Sequence, residues 1–476
     1  MNEPESTDVV DSSSSPLSVD ALDSASLTNS LLDMGLVGFT DLNSVVLSAD
    51  LAMTLCRHAA PKGESEGKKC SVPERARASG AIIVDLLKAM HKGKLAQEQT
   101  GAKCAFSDEG GQALCELPSS LAAPIYIFAT THHEDKPWTD HDSRAKAQEV
   151  LACLLWTSRA GSVAELLRGR GEADQGIFKD VMGLLKPELK KDTWELNPAT
   201  KYIFSWTLQQ VIRPWLSDYL DSVLPPSLLL SDDFRTENKI LGVRCLHHII
   251  LNVPAAELLQ CNRAQVVYHA LYNHLYTPEA DLIQVVLSCL LDLLPVLDKF
   301  SRVTRDPGQR HQHTNDVLQL IVTHMEMEHK ILLRRVYANY LPAFVERLGI
   351  GVARHLKRLE RVVVGYLEVY DGPEETARLS SLSTLKCIIK HAWPRMLCRL
   401  GVLLKSLLRL VFDLATDCSL TPGQVKSTLL EEATDCLMLL DRCSQGQVKV
   451  LLEGISNNCT DQQVLKCLAK VQQDMI

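Results

Sequence analysis

DLIQVVLSCLLDLLPVLDK, residues 281–299, decides the fold. At about 100° per residue, Asp281, Gln284, Ser288, Asp292 and Lys299 fall on one narrow stripe of a helix. Almost everything else on the segment is Leu, Val or Ile. Asp298 lies off the stripe, near the end, past Pro295. A helix with so little polar surface has to be covered on most sides. A helix held between neighbours in a stack of two-helix hairpins meets that demand.

Helical patterns continue on both sides. Upstream, Lys239 to Leu251 places Ile240, Val243, His247 and Ile250 at helical spacing, and Gln265 to Leu275 runs up to Thr277-Pro278. Downstream come Val317 to Met325, His329 to Asn339, Pro342 to Tyr370, Pro373 to His391, Pro394 to Ala415, Val425 to Cys443, Gln447 to Leu452 and Gln463 to Val471. Pro342, Gly351, Pro373, Pro394 and Pro422 punctuate them. Three N-terminal boxes are expected, Asp371 with Glu374, Thr421 with Gln424, and Thr460 with Gln463. The breaker spacing suits helical repeats of roughly 40–47 residues. Nearer the start, Ser143 to Ser158 sets Ala147, Val150, Leu151 and Leu154 on one face. Shorter helices follow at Val163 to Leu167 and Ile177 to Leu185, and Tyr202 to Tyr219 reads as helical on both sides of Pro214. Alternating strand patterns are almost missing. The expected class is all-α, an elongated α-solenoid of HEAT/armadillo-like hairpins.

Composition narrows the function. The 476 residues carry a net charge of −8, yet residues 1–56 hold nine acidic residues and no Lys or Arg. The rest is therefore close to neutral, which argues against broad steering toward nucleic acid. Residues 1–30, Ser- and Asp-rich with the run Ser12 to Ser15, are expected to form a disordered acidic tail. Residues 31–120 read as loosely ordered helices and linkers, including a helix at Ala81 to Met90, and residues 121–476 as the helical-repeat body. Fifteen scattered cysteines and an acidic N-terminus read as free thiols in a reducing compartment. The most apolar stretch, Leu282 to Leu291, falls short of the ~20 residues of a spanning helix.

The motifs of common catalytic chemistry are missing. The chain has no Gly-rich phosphate loop, no Gly-x-Ser-x-Gly elbow, no HExxH and no CxxC. His247-His248 imitates a metal site, but adjacent helical residues point apart, so one reads as a core histidine and the other as a surface one. His311, His313, His132, His133 and His141 lack cysteines at ligand spacing. Asp232-Asp233 reads as helix capping. No cofactor or metal is expected. The candidate partner-binding residues are Arg354, Lys357, Arg358 and Arg361, a basic stripe at i, i+3, i+4 and i+7 to which Arg334 and Arg335 could add. It is a solvated helix face, or it docks an acidic partner segment, and nucleic acid comes third because the stripe has no interleaved aromatics. Trp206 and Trp215, expected to pack at the bend around Pro214, are the aromatic candidates.

Five stretches are similar to one family. FSWTLQQVIRPWL (Phe204 to Leu216), SDDFRTENKILGVRCLHHIILNVPAAELLQ (Ser231 to Gln260), NHLYTPE (Asn273 to Glu279), HLKRLERVVVGYLEVYDGPEE (His355 to Glu375) and EEATDCLMLLDRCSQG (Glu431 to Gly446) resemble the Tel-two-interacting protein two family. The resemblance runs from about Leu121 to Gln472. It implies a non-enzymatic helical-repeat subunit of the Triple T complex. That complex is a cochaperone adaptor for phosphatidylinositol-3-kinase-related protein kinases, working with the ninety-kilodalton heat-shock chaperone and its AAA+ cochaperone assembly. The implied partners are the sister Tel-two-interacting subunit, through the C-terminal helices, and the Tel-two-like subunit. Kinase clients and the heat-shock machinery would be reached more indirectly, and no membrane or nucleic acid is expected. Cytoplasm and nucleus are the expected locations. Without the resemblance, a trafficking scaffold or a nucleic-acid-binding repeat protein would read the same way.

Overall fold

The computed structural model describes residues 42–61, 71–100, 117–171, 176–303, 311–416, 421–457 and 459–473. The expected acidic tail at 1–30 lies outside them. The described residues are helical throughout, with no strand ladder. The chain divides into two compact units, residues 1–211 and 212–476.

In the first unit, α1 is Leu42–Ala59, α2 Val72–Thr100, α3 Ser119–His132, α4 His141–Thr157, α5 Val163–Arg168, α6 Phe178–Leu185 and α7 Thr200–Gln210. The helices ahead of residue 121 are longer than expected, since α2 extends the Ala81 to Met90 segment at both ends. Both pack on the rest of the unit, α1 against α3 and α2 against α4. Helix α3 also meets α4, α6 and α7, and its residues from Leu121 to Tyr126 are all buried. Helix α4 buries the expected face of Ala147, Val150, Leu151 and Leu154. It begins at a box the sequence reading did not name. Asp140 Oδ1 accepts from Ser143 N at 2.7 Å, and Ser143 Oγ accepts from Asp140 N at 2.9 Å. Two orphan amides of the first turn are thereby satisfied.

In the second unit, α8 is Leu220–Ser231, α9 Thr236–Asn252, α10 Ala255–Leu259, α11 Arg263–His274 and α12 Ala280–Val303. Then follow α13 Gln312–Met327, α14 Ile331–Leu348, α15 Leu356–Leu367, α16 Thr376–Ala392, α17 Leu400–Thr416, α18 Gly423–Cys443, α19 Gln447–Ser456 and α20 Gln462–Gln473. The packing is a two-layer ladder. One layer runs α9, α12, α14, α16, α18, each on the next, and the other runs α13, α15, α17. Hairpin partners join the layers, α11 with α12, α13 with α14, α15 with α16, α17 with α18 and α19 with α20. Successive hairpins begin at Arg263, Gln312, Leu356, Leu400 and Gln447, 44 to 49 residues apart. This is the stacked-hairpin arrangement that the stripe on residues 281–299 demanded.

That stripe is where it should be. Asp281, Gln284 and Asp292 are exposed and Ser288 is half-buried, while Leu282, Ile283, Val286, Leu287, Leu290, Leu293 and Leu294 are buried. Residues 280–298 reach a mean hydropathy of 2.0 over 19 residues, so by length and composition this helix could cross a membrane. The shorter estimate stopped at Asp292, but the helix continues past it. Neighbours α9, α11 and α14 cover it, and its apolar surface is spent on the core.

Ion pairs tie the rungs. Along one layer His247 on α9 meets Asp292 on α12 at 2.7 Å, and Asp298 on α12 meets Arg347 on α14. Glu346 on α14 holds Lys390 and His391 on α16 at 2.6 and 2.8 Å, and Lys386 on α16 reaches Glu432 on α18 at 2.7 Å. Along the other layer Glu326 on α13 holds Arg358 on α15 at 2.9 Å. Glu360 on α15 and Glu368, just past its end, hold Arg399, just ahead of α17, and Arg409 on α17, each at 3.2 Å.

Several sequence expectations need correction. Tyr202 to Tyr219 is not one kinked helix. Helix α7 stops at Gln210, the Arg213–Pro214 bond is cis, and a separate 3-10 turn covers Trp215–Tyr219. Pro342 does not break its helix, because α14 runs through it to Leu348 and the break falls at Gly349, with φ of +56°. Such a backbone angle is easy for glycine and costly for other residues. The box of Asp371 with Glu374 is displaced by one residue. Asp371 N donates to Glu375 Oε2 at 3.3 Å, Asp371 Oδ2 accepts from Ala377 N at 2.6 Å, and Glu374 instead pairs with Arg335 at 3.0 Å. Pro422, not Thr421, precedes the first turn of α18, without a side-chain cap. At α20 the capping residue is Asp461, which accepts from Gln463 N and Val464 N at 2.8 and 3.0 Å. Asp233 makes a local turn, accepting from Arg235 N at 2.5 Å.

Candidate partner interface

The basic stripe is built on two elements. Arg354 ends the 3-10 segment Gly349–Arg354, while Lys357, Arg358 and Arg361 belong to α15. Leu356, Leu359 and Val363 are buried on the opposite side, as helical spacing requires. The four cations are not equivalent. Arg358 is half-buried and fully engaged, with Nε and Nη2 on the two oxygens of Glu326 at 3.3 and 2.9 Å and Nη2 also on Thr323 Oγ1 at 2.8 Å. The Arg358 contact, first among several causes, holds the Glu326 carboxyl below its ordinary value. Arg361 reaches the same Glu326 only at 3.6 Å and stays 66% exposed. Arg354 and Lys357 are exposed. A partner acid would therefore meet Arg354, Lys357 and Arg361, with Arg358 as their anchor.

Arg334 and Arg335 do not extend the stripe. Arg334 lies over the Tyr366 ring at 3.8 Å and donates to the Glu328 and Gly365 carbonyls. Arg335 grips the link ahead of α16, with Nε on Asp371 Oδ1 at 2.8 Å and Nη2 on the Asp371 carbonyl at 2.7 Å. Both guanidinium groups hold neighbouring hairpins together.

The two tryptophans sit in different units. Trp206 is half-buried in the first, 6.0 Å from the Tyr126 ring and 5.6 Å from His133. Tyr126 is fixed in turn by its hydroxyl contact with Thr207 at 3.0 Å. Trp215 lies in the 3-10 turn of the second unit, 36% exposed. No common bend holds them.

Periodicity did not bring out two apolar surfaces. One follows the turns inside successive hairpins, with Tyr276, Met327, Ile331, Leu332, Val369 and Tyr370 all exposed. The Tyr276 and His324 rings lie 6.1 Å apart there. The other is on α19, which buries only Val448 and Leu452 while Val450, Leu451 and Ile455 face outward. Their spacing in the sequence was the available signal, but the three-residue apolar run Val450 to Leu452 with no known neighbours does not reveal which side is covered.

The metal-like pairs resolve into packing contacts. His247 belongs to the inter-rung pair with Asp292 and is half-buried, not a core histidine. His248 contacts Asn252 within its own helix. His311 lies 3.0 Å from Asp298, and His313 hydrogen-bonds Gln265 at 2.9 Å. Among the described residues no cluster of three or more His, Cys, Asp or Glu could hold a metal ion.

Comparison with known proteins places the chain. A profile of the Tti2 family matches residues 181–373. TELO2-interacting protein 2 of Homo sapiens is 55% identical over 423 residues, covering 89% of this chain and 82% of that protein. TELO2-interacting protein 2 of Mus musculus is 53% identical over 419 residues, covering 88% and 80%. Yeast importin-beta aligns with a TM-score of 0.49 at 12% identity, over 91% of this chain and 54% of that one. Identity above one half over most of its length makes this chain a member of the Tti2 family.

Proposed function

We propose that the chain is a non-enzymatic scaffold and adaptor subunit of the Triple T cochaperone complex. In this role it supports maturation and stability of phosphatidylinositol-3-kinase-related protein kinases together with the ninety-kilodalton heat-shock chaperone system. The observation that carries the reading is that proteins more than half identical to it over most of its length are named for interaction with TELO2. Stacked hairpins suit the role, because each packs on its neighbours and leaves long surfaces for partners. The direct contact with the sister subunit is assigned to the C-terminal helices, where Val450, Leu451 and Ile455 are exposed on α19. Kinase clients and chaperones are met through the assembly, in cytoplasm and nucleus.

Affinity purification of the tagged full chain from cells tests this, beside a Val450→Glu, Leu451→Glu variant. Recovery of the Triple T subunits with the parent, reduced at least tenfold in the variant at unchanged melting temperature, supports both parts. Recovery by both proteins alike moves the contact elsewhere. Recovery of transport receptors or nucleic acid instead of Triple T subunits would overturn the assignment.

A further inference from the structure

Among the described residues, the ion-pair ladder leaves an acid without a cation at the step between α11 and α13. Between α9 and α18 in one layer, and between α13 and α17 in the other, an acid on one rung is met by a cation from the next. Between α11 and α13 the acid is Asp316. It is exposed and has no hydrogen-bond or ion-pair partner among the described residues. The neighbouring tie here is neutral, His313 to Gln265.

A cleft of about 420 Å3 opens at the same step, lined by Tyr268, His269, Tyr272, Asp316, Gln319 and Thr323, among others. Its size falls in the lower part of the ~300–1,000 Å3 range of ligand clefts. The Tyr268 and Tyr272 rings stand 5.7 Å apart, tilted by 33°. Tyr268 is held from behind by the His313 ring at 4.5 Å, so this wall is rigid. Burial pushes the pKa of both hydroxyls up, and the Asp316 charge pushes it further, so both rings stay neutral. Arg358 borders the cleft through Thr323, and its charge is already answered by Glu326. His269 is tied to Gln265 at 3.0 Å. One negative charge beside two aromatic rings is an environment that selects a cation.

We propose that this cleft receives a lysine or arginine side chain from a partner protein, which supplies the cation missing from the ladder. The inference rests on reading the chain as a protein-binding scaffold and names one chemical contact of that scaffold. Asp316 would pair with the ammonium or guanidinium group, Tyr268 and Tyr272 would stack on it, and Gln319 and Thr323 would accept its remaining hydrogens. Lys357 and Arg361 lie one rung further along, so the fitting segment carries an acidic residue as well as the basic one.

The test is titration of the purified full chain with Nα-acetyl-arginine methylamide, read by calorimetry and by tyrosine difference absorbance. Parallel titrations use the norleucine and glutamate analogues. Saturable binding of the arginine compound is expected, at least tenfold weaker for norleucine and at least tenfold weaker in Asp316→Asn and Tyr272→Leu at unchanged melting temperature. Equal binding of norleucine, preference for glutamate, no saturable binding, or full affinity in Asp316→Asn would each overturn it. Absent binding with Triple T recovery intact sinks the cleft and leaves the scaffold reading standing. Binding without that recovery does the reverse.

Discussion

His132 and His274 are buried, 1% and 7% exposed, in the first and second unit respectively. Burial pushes each imidazole from 6.5 down to about 4. For His132 the Ala59 carbonyl offsets part of that cost and Arg75 adds to it, while for His274 Lys239 adds to it and Asp232 offsets part. His274 Nε2 is also engaged by Ser231 Oγ at 3.0 Å. The folded pKa is the lower one, so the unfolded chain binds the extra proton between about 4 and 6.5. The resulting stability is complete above 6.5, falls as pH drops through this window, and levels off below about 4. Each histidine accounts for roughly 3 kcal/mol of that loss. Denaturant midpoints of the parent and of His132→Gln and His274→Gln, measured from pH 7 to pH 4.5, should show a shallower pH slope in each variant. Identical slopes would mean that neither ring stays neutral on folding. At this scale the sequence was a poor guide. One of His247 and His248 was expected in the core, yet both are half-buried and the His247 ring reaches Asp292 on another helix. His132 and His274, which are the buried ones, look no different in the chain from the exposed His141.

Elements were far more legible, because apolar periodicity reports the covered face before the covering helix is known. The stripe on α12 and the buried face of α4 follow directly from spacing. Boundaries were not, and the reason is competition between local and tertiary terms. Pro295 and Pro342 each remove a hydrogen bond from the helix interior, yet α12 and α14 continue because neighbours on both sides hold them straight. Close approach of two backbones is another such tertiary demand. Helix α9 crosses the end of α8 at Gly242, where a Cβ would run into the backbone of Leu230 and Ser231. Backbone cannot yield as a flexible side chain does. Gly242→Ala should therefore destabilise, by about 1–3 kcal/mol, despite the higher helix propensity of alanine. Thermal unfolding decides this, and an unchanged or raised melting temperature would mean that the two helices are further apart. Candidate site residues were legible only in part at this scale. The four basic residues declare a helix face, but nothing local reveals that Glu326, on the preceding hairpin, already holds Arg358.

Across the second unit, each interior helix is supported by the rung before it and the rung after it, so its stability is close to a sum of nearest-neighbour terms. Helix α19, in the last hairpin described, buries only two residues. Amide exchange should then be graded, slowest in α12 and α14 and fastest in α19 and α20, with opening free energies falling toward the end. Uniform protection from α12 to α20 would argue for a single cooperative block, and added partner should slow α19 most if that end is its seat. The hairpin ladder could be anticipated from the breaker spacing. The two units could not, since the chain passes from one to the other at residue 211 without a long polar linker. The distribution of thiols has a practical bearing on this ladder. Cys245 on α9, Cys289 on α12 and Cys436 on α18 are fully buried, and burial pushes the pKa of the last two thiols up, which keeps them protonated. A sulfhydryl in such a place reacts with an alkylating reagent only while its rung is open, and a capped one no longer fits when the rung closes. The chain thus carries its own timers at three heights, and their order of labelling would record where unravelling begins and how far it travels.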